Sequence, residues 1–474
     1  MAAANQGTGL QAIVMAGGKG TRLKSNLPKV LHPLLGKTLL ARVLETLNPL
    51  FPQAVYVVVG HGREQVNAEL QSLSLNFETT PVTQEPQLGT GHAVQQVKKA
   101  ADQKISGSVL ILSGDVPLLK TETLNAITKT HTSKKHDITL LAAELENPYG
   151  HGRVITKSNK VLRIVEEKDA SLDEKAIKLG NTGLYCINWQ SVSPLLDKLQ
   201  ANNAQKEFYL TDLIGLAVEA GLTVGTHLLN DHNEVIGINS RQDLARCTAA
   251  LNERVLERLM TDGVTIIDPR NTLIAPEVSV GSDTVIHPGC YLTGNVTIGK
   301  RCQIGPQTVM QTSGQNKVSI GDDSSVLCSY VRDSSVGAHS FVGPYAQLRD
   351  NAQIADHVKI GNFVEVKNST IDEQSFASHL AYVGDAKIGK DVNLGAGTIT
   401  ANFNALTGEK HQTIIEDHAK TGSNSVLVAP ITIGHHAFVA AGSVVTKDVA
   451  PYALAVTRPK QTEIIDWVKK QLKP

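Results

Sequence analysis

Aromatic residues make up only 4% of this chain of 474 residues. That scarcity argues against base-stacking platforms and suits a core filled by Ile, Val and Leu. Net charge is also missing: 45 Lys+Arg balance 45 Asp+Glu, so no overall field draws the chain to nucleic acid or anionic lipid. Cysteines are few. Cys186, Cys247, Cys290, Cys302 and Cys328 are scattered and odd in number, with no C-x-x-C pair, which indicates neither a disulfide framework nor a zinc site. Residues Met1 to Gly9 are small and polar, without the apolar run of a secretion signal, and no later stretch is long enough to span a bilayer. The expectation is a soluble cytoplasmic protein of two or three domains.

What is present is a six-residue beat filling the C-terminal half. Ile274, Val280, Ile286, Leu292, Ile298 and Ile304 lie six apart, as do Val336, Val342, Leu348, Ile354, Ile360 and Val366. The beat returns at Leu427, Ile433, Val439 and Val445. A small residue often follows, as at Gly281, Gly299, Gly337 and Gly361. Neither a helix nor an amphipathic strand sustains a period of six, whereas a solenoid of short parallel strands does. Its aliphatic side chains point inward and glycine fits where a Cβ would cost energy. At about 18 residues per three-sided coil, residues 263–455 make about ten coils. The register slips at Gln311–Lys317 and Asn402–Gln412, which are expected to be loops extruded from the prism.

Residues 10–239 alternate apolar runs with helical patterns. Gln11–Met15, Ala54–Val59, Val109–Leu112, Ile138–Ala142 and Thr223–His227 read as strands; Leu39–Leu47, Ala93–Ala101 and Thr211–Ala220 read as helices. That alternation implies a mostly parallel, doubly wound α/β domain of Rossmann-like kind, with ligands beyond the carboxyl ends of its strands. Ser240 with Asp243 reads as a capping-box-like start to a helix whose apolar stripe includes Cys247, Leu251 and Val255. The expected domains are therefore 1–239, a helical linker 240–262, and the solenoid with its tail, 263–474.

After the first strand comes Met15-Ala16-Gly17-Gly18-Lys19-Gly20-Thr21-Arg22-Leu23, then Leu27-Pro28-Lys29. A glycine loop after a strand offers backbone N–H groups to phosphates, although alone it is a weak signal that a structural turn also explains. The P-loop pattern is absent, and the dinucleotide fingerprint fails because Leu23 stands where its third Gly belongs. Two nearby cations, Arg22 and Lys29, suit a triphosphate. Leu112-Ser113-Gly114-Asp115 puts a carboxylate at a strand end, where it could hold Mg2+ or simply form a turn. In the solenoid, Arg349, Glu365, Lys367, His379 and Tyr382 fall within two coils, and Arg349 and Lys367 are one coil of 18 residues apart. Two stacked cations suit a phosphate. Glu365 is the expected partner orienting His379.

These motifs carry a specific resemblance. The A-G-G-x-G-T-R-L loop, the Pro-Lys, Gln84-Glu85-Pro86-Gln87-Leu88-Gly89-Thr90-Gly91 and Gly114-Asp115 resemble the sugar-1-phosphate nucleotidyltransferases. With Gly152-Arg153, Val165 to Asp169, Asn181-Thr182-Gly183 and Gly237-Ile238-Asn239, the likeness narrows to one family. That family is the bifunctional N-acetylglucosamine-1-phosphate uridyltransferase/glucosamine-1-phosphate acetyltransferases, whose second half is a left-handed parallel β-helix of hexapeptide repeats. The resemblance implies that Met15, Ala16, Gly17, Gly18, Gln84, Gly89, Thr90, Ser113 and Gly114 hold the uridine nucleotide. Arg22 and Lys29 would bind its phosphates, Arg22 in a catalytic role, and Asp115 and Asn239 would hold one Mg2+. Gly152, Glu166 and Asn181 would bind the N-acetylglucosamine moiety.

In the β-helix the resemblance implies that His379 is the general base of acetyl transfer. Arg349 and Lys367 would bind the phosphate of glucosamine-1-phosphate, with Tyr382 and Asn393 placing the sugar. Ala396, Asn402, Phe403, Ser423, Ala441 and Arg458 would contact acetyl-CoA. UTP, sugar phosphates and acetyl-CoA are the implied small-molecule partners, in a homotrimer serving cell-envelope synthesis. Two departures stand out. Ser113 replaces a common Tyr, and Phe403 replaces a usual Tyr ahead of a loop, Asn404–Gln412, two residues longer than in typical relatives. They leave a second reading, a single-activity nucleotidyltransferase whose β-helix only assembles subunits.

Overall fold

A computed structural model describes residues 9–472, so most of the polar N-terminal stretch and the last two residues lie outside the described residues. The chain divides into two compact units, Met1–Leu251 and Asn252–Pro474. Among the described residues no helix is long and apolar enough to cross a membrane, and none of the five cysteines forms a disulfide.

The first unit is built on one sheet. Its main path runs Val224–Leu229, Ile138–Glu144, Leu179–Asn188, Ser108–Ser113, Gln11–Met15, Ala54–Val59 and Thr79–Thr83. Every expected strand is present, and Leu39–Leu47 is a helix as expected. The sheet is less parallel than the strand–helix alternation suggests: Leu179–Asn188 runs antiparallel to both neighbours. A hairpin, Arg153–Lys157 with Lys160–Val165, precedes that strand and leads the chain back in the opposite direction.

Strand alternation sends side chains to opposite faces. Ala12 and Val14 join one core with Leu40, Leu44 and Val66 from the helices on that side. Ile13 joins the other core with Val94, Val97 and Leu213. Both faces are thus covered, as a doubly wound sheet requires.

The second unit is a left-handed parallel β-helix whose described strands form three sheets of 11, 10 and 9. Ile274, Leu292, Met310, Val331, Leu348 and Val366 stack in consecutive coils and are completely buried. The expected slips are real. Val309 pairs with Tyr330, and Ala386 with Thr413, because residues 312–317 and 402–412 leave the coil between strands.

Glycine serves here mainly by close approach. A Cβ on Gly337 would come within 2.6 Å of the Ala355 backbone in the next coil. The left-handed corners are held largely by other residues, including His339, Tyr345, His357 and Phe363. The tail ends in a short helix, Trp467–Gln471.

The helix Arg241–Thr261 carries the expected cap. Ser240 N–H donates to Asp243 Oδ2 at 2.9 Å, and Asp243 N–H donates to Ser240 Oγ at 3.2 Å. The same carboxylate accepts from Asn239 N–H at 3.1 Å, so the cap also fixes the backbone of Asn239.

Candidate functional sites

Parallel pairing aligns the ends of the first unit's central strands: Met15 lies opposite Val58 on one side and Ser113 on the other. A cleft of about 1160 Å3 opens beyond those ends. It is lined by Met15, Ala16, Gly17, Gly18, Lys29, Gln84, Gly89, Thr90, Ser113 and Asp115. Gly114 backs the cleft, its N–H donating to Met15 O at 2.9 Å. Gln84 is buried, and its Nε2 donates to Gly89 O at 2.9 Å, tying two expected contacts together. Arg22 lies on the short turn Thr21–Leu23, exposed and outside that lining.

Asp115 and Asn239 come together although 124 residues separate them. The Lys29 ammonium forms an ion pair with Asp115 Oδ2 and donates to Asn239 Oδ1 at 2.7 Å. Ser113 Oγ donates to Asp115 Oδ1 at 2.5 Å, so the unusual serine acts on that carboxylate. A carboxylate and an amide oxygen aimed at one cation suit Mg2+, which takes few protein oxygens and completes its shell with water and phosphate. The donor set fits the implied metal.

Gly152, Glu166 and Asn181 form a neighbouring cluster. A Cβ on Gly152 would come within 2.9 Å of Ile164 Cγ2, with Glu166 Oε2 at 3.5 Å and Asn181 Cβ at 3.6 Å, so the three named residues converge and the Ile164 side chain is what confines the glycine. Burial pushes the Glu166 carboxyl above its usual range; the Thr211 hydroxyl, donating at 2.9 Å, opposes that rise, while Asp212 and Asp169 add to it. The segment Glu207–Thr211 links this cluster to the cleft, because Leu210 N–H donates to Thr90 Oγ1 at 3.0 Å.

In the second unit, Arg349 pairs in register with Lys367, as their spacing predicts. The expected role of Glu365 needs correction. Its carboxylate accepts from Arg349 Nε at 2.8 Å, and Asp350 accepts from the same guanidinium at 2.6 Å. Asn362 is the partner of His379, with Asn362 Oδ1 2.6 Å from His379 Nδ1. With Oδ1 accepting, Nδ1 carries the proton and Nε2 presents its lone pair outward. His379 is exposed, at the end of the strand Phe376–His379.

The extruded loop brings in a residue that no repeat position marks. Lys410, paired in an antiparallel bridge with Phe403, approaches Lys367 and lowers its pKa; partial burial and the Arg349 charge act in the same direction, and Asp385 opposes them. Three cations facing one another favour an anion between them. Tyr382 lies in the coil above Glu365, and its hydroxyl covers Gly384. Asn393 is exposed on the coil above Phe376.

Gly397 N–H donates to His379 O at 3.2 Å, Asn424 N–H to Ala396 O at 2.7 Å and Gly442 N–H to Ser423 O at 2.8 Å. These bonds stack Ala396, Ser423 and Ala441 in successive coils leading away from His379. Arg458 donates to Ala441 O at 2.5 Å. Asn402 is buried against Asp385, whereas the Phe403 ring is exposed.

Residues 12–180 match the model of the MobA-like NTP transferase domain. Residues 277–311, 333–368 and 412–447 match the bacterial transferase hexapeptide model of six repeats. Along its length the chain is 44% identical over 463 residues to the bifunctional protein GlmU of Alkaliphilus metalliredigens, covering 98% of each. It is 45% identical over 461 residues to that of Carboxydothermus hydrogenoformans, covering 97% of this chain and all of the relative. The chain belongs to the GlmU family.

Seen as a GlmU chain, the molecule adds contacts that its motifs did not reveal. Gly60, His61, Gly62 and Arg63 line the first cleft because Ala54–Val59 pairs with Gln11–Met15. A Gly-His-Gly directly after an apolar run was the available signal. Gly60 is confined there: a Cβ would meet Gly17 O at 2.8 Å. Asn362 and Lys410 had no motif of their own; the coil register and the loop supply both.

Proposed function

We propose that this chain makes UDP-N-acetylglucosamine in two steps at two separate sites. The β-helix transfers an acetyl group from acetyl-CoA to glucosamine-1-phosphate. The α/β unit then transfers UMP from UTP to N-acetylglucosamine-1-phosphate and releases pyrophosphate. The observation that carries this reading is that both constellations, Asp115 with Asn239 in the first unit, and the Asn362–His379 pair together with the Arg349, Lys367 and Lys410 cations in the second, occur in one chain similar to GlmU proteins throughout.

In the first step His379 Nε2 removes a proton from the substrate's ammonium, and the free amine attacks the thioester carbonyl. Coenzyme A leaves with its sulfur, the imidazolium returns the proton to that thiolate, and the attacking nitrogen loses its second proton to solvent as the amide forms. Asn362 keeps Nδ1 protonated and the ring fixed. Arg349, Lys367 and Lys410 bind the sugar phosphate, with Arg349 held by Glu365 and Asp350. Tyr382 and Asn393 place the sugar, and the Ala396, Ser423 and Ala441 column carries acetyl-CoA with Asn402, Phe403 and Arg458. The exposure of His379 supports completion of this site by another subunit, in a homotrimer.

In the second step no protein nucleophile is needed. A phosphate oxygen of N-acetylglucosamine-1-phosphate attacks the α-phosphorus of UTP in line, and the work is alignment and charge neutralisation. Backbone N–H groups of the Ala16–Gly20 loop, Arg22 and Lys29 hold the triphosphate, while Gly152, Glu166 and Asn181 hold the sugar. Asp115 and Asn239 would hold Mg2+, which would supply charge neutralisation at the phosphates. A cytoplasmic setting accords with five cysteines that form no disulfide among the described residues.

The test is to assay purified protein for thiol release from acetyl-CoA with glucosamine-1-phosphate, and for pyrophosphate release from UTP with N-acetylglucosamine-1-phosphate. Both activities are expected. Pyrophosphate release without thiol release would instead favour a single-activity nucleotidyltransferase, the reading to which exposed Phe403 and its longer loop point.

A further inference from the structure

The Lys29 ammonium stands where the metal would stand. It touches Asp115 Oδ2 and Asn239 Oδ1, while Ser113 engages the second carboxylate oxygen. The side chains of Lys29 and Asp115 are only 12% and 16% exposed. The pair is therefore already neutralised and largely withdrawn from water, and a divalent cation cannot reach both oxygens while the ammonium holds them. Two cations at one oxygen pair repel strongly at such range.

The lysine also has somewhere to go. Its stem lies against the glycine loop, since a Cβ on Gly20 would sit 2.7 Å from Lys29 Cβ. Rotation about the outer bonds of that stem moves the ammonium from the acid–amide pair towards the loop that receives phosphates.

We propose that Lys29 is a resident cation that occupies the metal pair in the free protein and is exchanged for the metal when nucleotide binds. The arriving phosphates give the ammonium a new counter-anion and free Asp115 and Asn239. The metal consequently enters with the nucleotide, and the free protein resists loading by metal alone. This inference rests on the metal assignment above and adds an order of events to it.

Mn2+ binding to the full chain without nucleotide, read from the electron paramagnetic resonance of the free ion, tests the exchange. Lys29→Met should bind Mn2+ at least about tenfold more tightly than the wild type, since the competing ammonium is gone. Lys29→Gln gives the same comparison should the methionine variant fail to fold. Lys19→Met removes a cation that lines the same cleft, and should change affinity by less than about twofold, the effect of mere long-range charge. If the Lys29 variants gain no more than Lys19→Met, the exchange is refuted. Adding Asp115→Asn to Lys29→Met separates the two ideas. Loss of the tight binding places the ion on the pair, whereas tight binding that survives Asp115→Asn overturns both the metal assignment and the exchange built on it.

Discussion

The two units build their sites in opposite ways. The first gathers groups from distant parts of the sequence at the ends of parallel strands, so that Lys29, Asp115 and Asn239 meet in a partly enclosed cleft. The second repeats one coil, so that Arg349 stands beneath Lys367, and Asn362 beneath His379, on an open prism surface. A strand-end cleft is assembled by topology and can withdraw charges from water. A solenoid has a filled core, and its chemistry is confined to ladders and extruded loops. The two sites should therefore fail independently.

The largest expected effect comes from His379→Ala, which should reduce acetyl transfer by about 10²–10⁴-fold, the usual contribution of a general base, and leave uridyl transfer unchanged. Steady-state assays of both reactions check this, and loss of both would break the comparison. Asp115→Ala is expected to reduce uridyl transfer at least about a hundredfold, since even outer-shell changes cost 10–100-fold, while acetylation persists. Asn362→Ala removes one supporting hydrogen bond worth about 1 kcal/mol, roughly a fivefold loss in acetyl transfer. Asn362→Asp, which keeps an acceptor beside His379 Nδ1, should retain more acetyl transfer than Asn362→Ala; equal loss in the two variants would make Asn362 merely structural.

The smallest effect sharpens the contrast in burial. Burial lowers the pKa of His131, with His136 adding to that and Asp137 opposing it; His92 is lowered by burial and by Lys99, and His32 by burial and by Arg241. A base whose pKa is depressed on folding leaves the unfolded chain binding more protons, so stability rises with pH across that window. The contribution is fully present above the ordinary imidazole value of 6.5 and declines as pH falls below it. Histidines His339, His357, His418 and His436 of the prism are exposed. Hydrogen exchange at pH 7 and pH 5 should show the first unit losing protection on acidification and the β-helix losing less. Equal loss would remove burial as the distinguishing cause.

Much of this was legible in the residues, for reasons that differ by region. A period of six states which side chains face inward, and an 18-residue spacing places Arg349 beneath Lys367. The same reasoning misassigned the partner of His379. Between Asn362 and His379 the coil shortens to 17 residues, a slip that aliphatic periodicity conceals and that sends Glu365 beneath Tyr382. In the first unit, strand positions follow from apolar runs, but strand direction does not, which is why the antiparallel Leu179–Asn188 went unread. Ser113 was visible as a departure, yet only three-dimensional placement shows its hydroxyl on Asp115.

Independent sites make a direct demand on mixtures. His379→Ala and Asp115→Ala proteins should each fail to convert glucosamine-1-phosphate, acetyl-CoA and UTP into UDP-N-acetylglucosamine. Mixed together they should make it, because N-acetylglucosamine-1-phosphate formed by the Asp115 variant diffuses to the cleft of the His379 variant. A mixture that yields no product, although each protein retains its own remaining reaction, would contradict the account.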